Sequence, residues 1–318
     1  MFEHILVPLD GSTLAECVLP HVVAFASAFG SRVTLLHAHA RGSDDRGTLF
    51  VDPMAWQIGQ LQSESYLART ASRLGELGIE AESVVVEGAA AECAIEYANH
   101  HAVDLIVLSS HGKSGLSGWN VSSVVQKIML RAYRSILIVR SYAQAEAMPH
   151  RQVYRRVLVP LDGSQRAECA MPVAVSLAAA CDAELILSHV VRWPEMPRRT
   201  HVTEKEIELA NQLVGYNRQE ISAYLQALKA QLRLDAQTQV LVGRDVALTL
   251  HELVDGEGAD LIILSAHGYS GASRWPYGSV ATNLISYGNT PLLMIQDLSR
   301  QDVRPSQAEL ATQEHQGH

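Results

Sequence analysis

Few of the features that mark secreted, membrane-spanning or metal-stapled proteins occur in this sequence. It has only 4 cysteines in 318 residues, with no CxxC pair and no metal-ligand spacing, so we expect neither a disulfide framework nor a zinc site. Its opening apolar run, Ile5 to Leu9, is interrupted after five residues, which predicts no signal peptide and no membrane span. We therefore expect a cytoplasmic protein with reduced, buried cysteines.

Positive charge is also scarce. Lys and Arg number 25 against 34 Asp and Glu, which gives a formal net charge of −9. Binding to the phosphate backbone of nucleic acid requires a clustered excess of basic residues. The composition therefore argues against a nucleic-acid partner.

The sequence does contain an internal repeat. The segment ILVPLDGS at 5–12 recurs as VLVPLDGS at 157–164, and DLIVLSSHG at 104–112 recurs as DLIILSAHG at 260–268. A repeat of this length predicts two complete copies of one domain. We expect domain 1 at 1–142, a linker at 143–154, domain 2 at 155–298 and a mobile polar tail at 299–318.

Strands and helices alternate within each copy. Each copy opens with a continuous apolar strand, at 4–9 or 156–161, which is typical of a strand buried on both faces. Ser12 and Ser164 are predicted to cap the following helix, which Pro20 or Pro172 should break. Strands that alternate with helices predict an α/β fold with parallel sheets. We expect two tandem doubly wound five-stranded parallel sheets and take their strand order as 3-2-1-4-5.

Topology then predicts where a ligand binds. Doubly wound sheets bind ligands beyond the carboxyl ends of their strands, where the strand order reverses, and here that point lies between strands 1 and 4. The two best-matched motifs of the repeat, Pro-Leu-Asp-Gly-Ser and Ser-x-His-Gly, follow those two strands. Small residues in the second loop would let main-chain N–H groups approach a phosphate.

The loop at 265–280 resembles the Gly-x2-Gly-x9-Gly-Ser/Thr signature of the ATP-binding universal stress proteins, and the opening VPLDGS resembles that family's first strand. The resemblance covers both copies and implies a fold like that of the adenine nucleotide alpha hydrolases. It places Asp162 on the adenine, with Ser265 standing where the family has its first glycine. The residues that it implies for nucleotide binding in domain 2 are Pro160, Asp162, Gly163, Val190, Leu264, Ser265, His267, Gly268, Gly278, Ser279 and Val280.

Domain 1 carries the same frame with one departure. Ser122 stands where the signature has its third glycine, and we expect strain there if that position requires a positive φ. The resemblance implies the corresponding nucleotide-binding residues Pro8, Asp10, Gly11, Ala38, Leu108, Ser109, Gly112, Ser122, Ser123 and Val124. Domain 2 is the favoured site.

These features predict a stress or regulatory protein that binds ATP, ADP or AMP, with or without Mg²⁺, and changes its interactions with occupancy. An interaction protein of the same fold without nucleotide, and a slow ATPase, stay open as alternatives. We expect no catalytic residue and no metal site from the protein alone, because His111 and His267 have no nucleophile nearby in the pattern and no Walker lysine is present. The two domains are expected to pair through their last strands, and a homodimer of the whole chain is left open.

Overall fold

The computed structural model describes residues 1–39, 53–112, 121–141, 154–194, 203–269 and 277–297. The predicted linker, apart from Tyr154, and the predicted tail lie outside these residues. No helix of the described residues is long and apolar enough to cross a membrane.

Among the described residues, each copy contributes five strands. In the first copy these are β1 (His4–Pro8), β2 (Arg32–His39), β3 (Ala81–Glu87), β4 (Leu105–Ser109) and β5 (Ser135–Val139). In the second copy they are β6 (Arg156–Pro160), β7 (Glu184–Arg192), β8 (Ala236–Gly243), β9 (Leu261–Ser265) and β10 (Leu292–Ile295).

Helices connect the strands. The first copy has a 3₁₀ turn at Ala15–Val18, then α1 (Leu19–Phe29), α2 (Pro53–Gly75), α3 (Ala90–His100) and α4 (Ser123–Arg131). The second copy has α5 (Gln165–Glu168), α6 (Met171–Cys181), α7 (Glu204–Gln231), α8 (Val246–Glu257) and α9 (Ser279–Tyr287). The α/β class predicted from the alternating pattern is confirmed.

The strands form one sheet of order β3-β2-β1-β4-β5-β10-β9-β6-β7-β8. Within each copy the neighbours are parallel and follow the order 3-2-1-4-5. The sheet differs from two separate five-stranded sheets because β10 pairs antiparallel with β5, in the register Leu293 opposite Leu137. Ten strands are therefore continuous through the two copies.

Apolar side chains pack on both faces of this sheet. Ile5 and Val7 face one hydrophobic cluster, whereas Leu6 between them faces the other. Helices α1, α2, α6 and α7 cover the first face, and α3, α4, α8 and α9 cover the second. Burial on both sides explains the unbroken Ile, Leu and Val runs of these strands.

The helix after the first strand is broken at the predicted proline in both copies. Pro20 lies in the first turn of α1, directly after the 3₁₀ turn, and Pro172 lies in the first turn of α6, after the one-turn helix α5. Proline is tolerated there because a first-turn N–H has no acceptor within its helix. Ser164 caps α5 by accepting from the N–H of Ala167 at 3.1 Å, and Ser12 accepts from Ala15 at the same distance.

Candidate functional site

A crevice opens at the carboxyl ends of the central strands in the second copy. Strands β6 and β9 pair only through Val157–Leu158 and Leu261–Ile262. Beyond these residues β6 and β9 no longer pair with each other, and the helices that follow them, α5 with α6 and α9, lie on opposite faces of the sheet. This is the switch point at which a doubly wound sheet offers space for a ligand.

A cavity of about 730 Å³ occupies this crevice. Ten of the eleven residues suggested for domain 2 line it, and Gly163 is the exception. The ten are Pro160, Asp162, Val190, Leu264, Ser265, His267, Gly268, Gly278, Ser279 and Val280. Gly163 instead forms the turn behind Asp162, with φ of +81°, a conformation that glycine adopts without strain.

Asp162 connects the two loops of the crevice. Its Oδ1 accepts from the N–H of Ser164 at 3.0 Å and from the hydroxyl of Ser164 at 2.6 Å. Its Oδ2 accepts from the N–H of Tyr269 at 2.5 Å, beyond the end of β9. A carboxylate accepts about four hydrogen bonds. Asp162 therefore braces the turn and still has acceptor capacity toward the cavity, where its side chain is exposed.

Gly268 lies against this carboxylate. A Cβ at position 268 would stand 2.1 Å from Oδ2 of Asp162, closer than any non-bonded contact allows. The first copy repeats the arrangement, with 2.1 Å between a Cβ at Gly112 and Oδ2 of Asp10. Close approach of the two loops therefore requires glycine at both positions.

The expectation of strain at Ser122 is wrong. Gly278 has φ of −67° and Ser122 has φ of −69°, so this position needs no positive φ in either copy. Both N–H groups donate to the matching carbonyl, of Ala266 or Ser110, at 2.8 Å. The copies differ instead in helix capping: Ser122 Oγ accepts from the N–H of Val125 at 3.3 Å, whereas Gly278, the N-cap residue of α9, has no side chain to do so.

His267 has a structural position beneath the loop. Its side chain is buried, and Nδ1 lies 2.7 Å from Oδ1 of Asp297, which is also buried. Ser265 Oγ donates to the carbonyl of His267 at 2.6 Å. Nearby, burial raises the pKa of the Cys169 thiol, which keeps it in the unreactive protonated form. These groups hold the end of β9.

The suggested residues of domain 1 lie at matching places. Pro8 and Ala38 lie in β1 and β2, Leu108 and Ser109 end β4, Gly11 forms the turn with φ of +82°, and Ser123 and Val124 open α4. Asp10 Oδ1 accepts from the hydroxyl of Ser12 at 2.6 Å. At the end of β2, the ring of His39 packs against Gly59 and edge-on to Trp56, with ring centroids 6.4 Å apart. The matching residue of β7 is the smaller Val191, which lines the cavity.

Several lining residues were not anticipated from the motifs. They are Ser188, His189, Val191, Arg192, Asn217, Ile221, Arg244, Asp245, Val246, Ala247, Leu250 and Asn283, among others. Asp245 could have been predicted as a helix N-cap, because an Asp directly before a helical sequence pattern is typical of that position. In the structure it caps α8 by accepting from the N–H groups of Ala247 and Leu248. Burial lowers the pKa of His189, which favours its neutral ring. Among the described residues, no group of three His, Cys, Asp or Glu side chains could hold a metal ion.

Two doubly wound units on one sheet, with a crevice at the switch point, define a tandem α/β protein of the Rossmann-like class. Comparison with known proteins is more specific. The universal stress protein family model matches the chain twice, at residues 1–140 and 153–296, so the chain belongs to that family as a tandem two-domain member.

Relatives and solved structures agree with this assignment. A universal stress protein of Methanocaldococcus jannaschii is 24% identical over 155 residues, which is 44% of this chain and 96% of the relative. One from Mycobacterium tuberculosis is 23% identical over 254 residues, 76% of this chain and 80% of the relative. The crystal structure of a universal stress protein from Archaeoglobus fulgidus has a TM-score of 0.63 at 16% identity, covering 92% of this chain and 98% of its own. A putative one from Pseudomonas aeruginosa has a TM-score of 0.66 at 13% identity, covering 92% and 93%.

Proposed function

We propose that the second copy binds an adenine nucleotide, ATP or its shorter relatives, and that occupancy regulates what the protein contacts. The observation that carries the proposal is a cavity of about 730 Å³ lined by ten of the eleven residues that the family resemblance implies. A cavity of this size is typical of small-molecule sites. Its apolar wall and its polar corner suit the two ends of a nucleotide.

The polar corner suits a phosphate. Gly268, Gly278 and the first turn of α9 all line the cavity. Gly278 has no side chain that could cap α9, so among the described residues the N–H groups of its first turn are left to an anion, and the helix dipole adds partial positive charge there. Ser279 contributes a hydroxyl donor at the same corner. The corner thus offers what phosphate oxygens require.

The other wall suits a base. Pro160, Val190 and Leu264 present apolar surface, and Val190 and Leu264 are buried. Asp162 lies between this wall and the phosphate corner, with acceptor capacity left after its three hydrogen bonds. A carboxylate accepts from the amino group of adenine or from a ribose hydroxyl. Apolar surface with one oriented acceptor is a common arrangement for recognising a base.

The first copy is less suited to an anion. Ser122 is the N-cap residue of α4, and its hydroxyl oxygen accepts a hydrogen bond from the N–H of Val125. A phosphate would have to displace that hydrogen bond, which contributes about 1 kcal/mol. We therefore propose that the second copy provides the binding site. Any Mg²⁺ would arrive with the phosphates, which supply the oxygen ligands that it prefers.

Matched glycine variants test both the function and the choice of copy. Gly268→Ala and Gly112→Ala introduce the same 2.1 Å clash, against Asp162 and Asp10 respectively. We expect intact protein to bind labelled ATP at one saturable site, Gly268→Ala to lose at least tenfold in affinity and Gly112→Ala to retain it. Equilibrium dialysis of the full chain measures this. Absence of saturable binding to the wild-type protein would refute the function, and loss only in Gly112→Ala would move the site to the first copy.

A further inference from the structure

Two arginines lie at the end of the cavity opposite the glycine corner. Arg192 is the last residue of β7, and Arg244 directly follows β8. Arg192 pairs with Gly243 in the sheet register, so the two arginines leave neighbouring strands at the same level. Both side chains are exposed and both line the cavity.

Neither guanidinium has a carboxylate of the described residues within ion-pair distance, unlike Arg73 and Arg156, which pair at 2.7 and 3.0 Å. The two carboxylates that line the cavity, Asp162 and Asp245, instead accept main-chain or serine hydrogen bonds. Asp245 Oδ1 accepts from two N–H groups of α8 at 2.8 and 3.1 Å, and Asp162 accepts three hydrogen bonds. Among the described residues, both guanidinium groups at the cavity are therefore without an ion-pair partner and are available to an anion, in a chain of net charge −9.

Strand order sets how far these cations lie from the glycine corner. The corner follows β9, and β6 separates β9 from β7, with β8 beyond. Neighbouring strands are about 4.8 Å apart, so the two ends of the cavity are separated by roughly 10 to 14 Å. In ADP or ATP the phosphates form one continuous 5′-polyphosphate. If its first phosphate occupied the glycine corner and the base lay against Val190, the remaining phosphates would extend away from the arginines.

The first copy has no matching charge where β3 leads into α3. Its connection is Gly88–Ala89, whereas the second copy has Arg244–Asp245 between β8 and α8. Arg244 is thus present only in the second copy, which also has the cavity proposed to bind the nucleotide. Guanidinium groups match phosphate oxygens in geometry and charge.

We propose that Arg192 and Arg244 form a second anion subsite, so that the cavity prefers a nucleotide with a further phosphate on its ribose, remote from the 5′-phosphate. This inference rests on the proposed function, because the 5′-phosphate is taken to occupy the glycine corner. Arg192 and Arg244 then determine specificity among adenine nucleotides. Nucleoside 3′,5′-bisphosphates are the chemical class that presents phosphates on two sides of one ribose.

Three ligands separate this subsite from general attraction to negative charge. Adenosine 3′,5′-bisphosphate has two remote phosphates, ADP has two phosphates in one chain, and AMP has one. We expect isothermal titration of the full-length wild-type protein to show the bisphosphate at least tenfold tighter than ADP. In the double variant Arg192→Gln, Arg244→Gln, that ratio should fall to about one. Arg233→Gln, an exposed arginine outside the cavity, controls for net charge and should keep the ratio.

The outcomes distinguish the subsite from the proposed function. Equal affinity of the wild-type protein for the bisphosphate and ADP would overturn the subsite and leave nucleotide binding intact. A preference that persists in the double variant would also overturn it, because other residues would then hold the second phosphate. Failure of all three ligands, and of ATP, to bind the wild-type protein would refute both proposals. Both arginines are exposed, so the variants are expected to fold, which their melting temperatures check.

Discussion

The α-carbon of Gly268 lies so close to the carboxylate of Asp162 that a methyl group on it would stand 2.1 Å from Oδ2. The contact brings together two loops that are more than a hundred residues apart in the chain. The same carboxylate oxygen accepts from the N–H of Tyr269. Asp162 therefore fixes the separation of the two loops, and glycine allows that separation.

Gly268→Ala should destabilise the ligand-free protein by about 1 to 3 kcal/mol, the usual cost of overpacking. The methyl group must displace Asp162 and so weaken its hydrogen bonds to Ser164 and Tyr269. In the background Asp162→Ala the clashing oxygen is absent, so the same substitution should cost less. A double-mutant cycle of urea unfolding measures the difference. If Gly268→Ala lowered the free energy of unfolding equally in the wild type and in Asp162→Ala, the added methyl group would not be clashing with the Asp162 carboxylate.

Gly278→Ser should make the protein slightly more stable and weaken nucleotide binding. Serine is a better N-cap than glycine by a few tenths of a kcal/mol, and Ser122 shows that this backbone accepts serine, with φ of −69°. The new hydroxyl would take the N–H of Ala281, which a phosphate otherwise uses. Thermal melts and ATP titration of the same variant measure the two effects. Increased stability with unchanged affinity would contradict a phosphate at α9.

The α/β class and the loop motifs were predictable, because the alternation of strands and helices indicates βαβ units and the repeat shows each motif twice. Pro20 and Pro172 indicated the helix break correctly, since the missing N–H of proline acts locally. Ser122 was misjudged because residue type alone does not give φ. The contributions of Asn217 and Arg244 could not be predicted, since they depend on how α7 and the β8–α8 connection lie against β7. Such packing is set by contacts distant in sequence.

Acid should destabilise the protein through His21. Its Nδ1 lies 2.6 Å from the hydroxyl of the fully buried Tyr154. Burial lowers the pKa of His21 from 6.5 to about 4. Below pH 6.5 the His21 ring is therefore protonated in the unfolded chain but stays neutral in the folded chain. The free energy of unfolding falls as the pH decreases toward 4.

The full pKa shift of His21 would correspond to a loss of about 3 kcal/mol in the free energy of unfolding. We expect a loss of about 2 kcal/mol, because His21 is only partly buried and solvent reaches part of it. His21→Gln keeps a polar partner for Tyr154 and cannot titrate, so it should reduce the loss measured by urea unfolding between pH 7 and pH 4. The exposed His100, changed to Gln, serves as the control and should leave the loss unchanged. An identical pH profile for His21→Gln and wild type would assign the acid sensitivity to other groups.

Arg140 should make the two copies unfold as one unit. It follows β5 in the first copy, is 2% exposed, and donates through one nitrogen to the carbonyls of Leu284 and Ile285, both at 3.0 Å, near the end of α9 in the second copy. A cation at a helix carboxyl end is favourable, and charge-assisted hydrogen bonds contribute about 1.5 to 3 kcal/mol. Tyr277 adds a hydrogen bond across the same boundary, 3.3 Å from the carbonyl of Met129.

Replacing Arg140 with Met keeps the length and apolar stem of the side chain and removes these bonds. We expect calorimetry of the wild-type chain to give one cooperative transition, and Arg140→Met to lower its midpoint and to split or broaden it as the copies begin to unfold separately. Tyr277→Phe removes a neutral hydrogen bond rather than charge-assisted ones, so it should shift the midpoint less and keep a single transition. Because the edge pairing of β5 with β10 remains in both variants, an unchanged single transition in Arg140→Met would show that this strand pairing alone couples the copies.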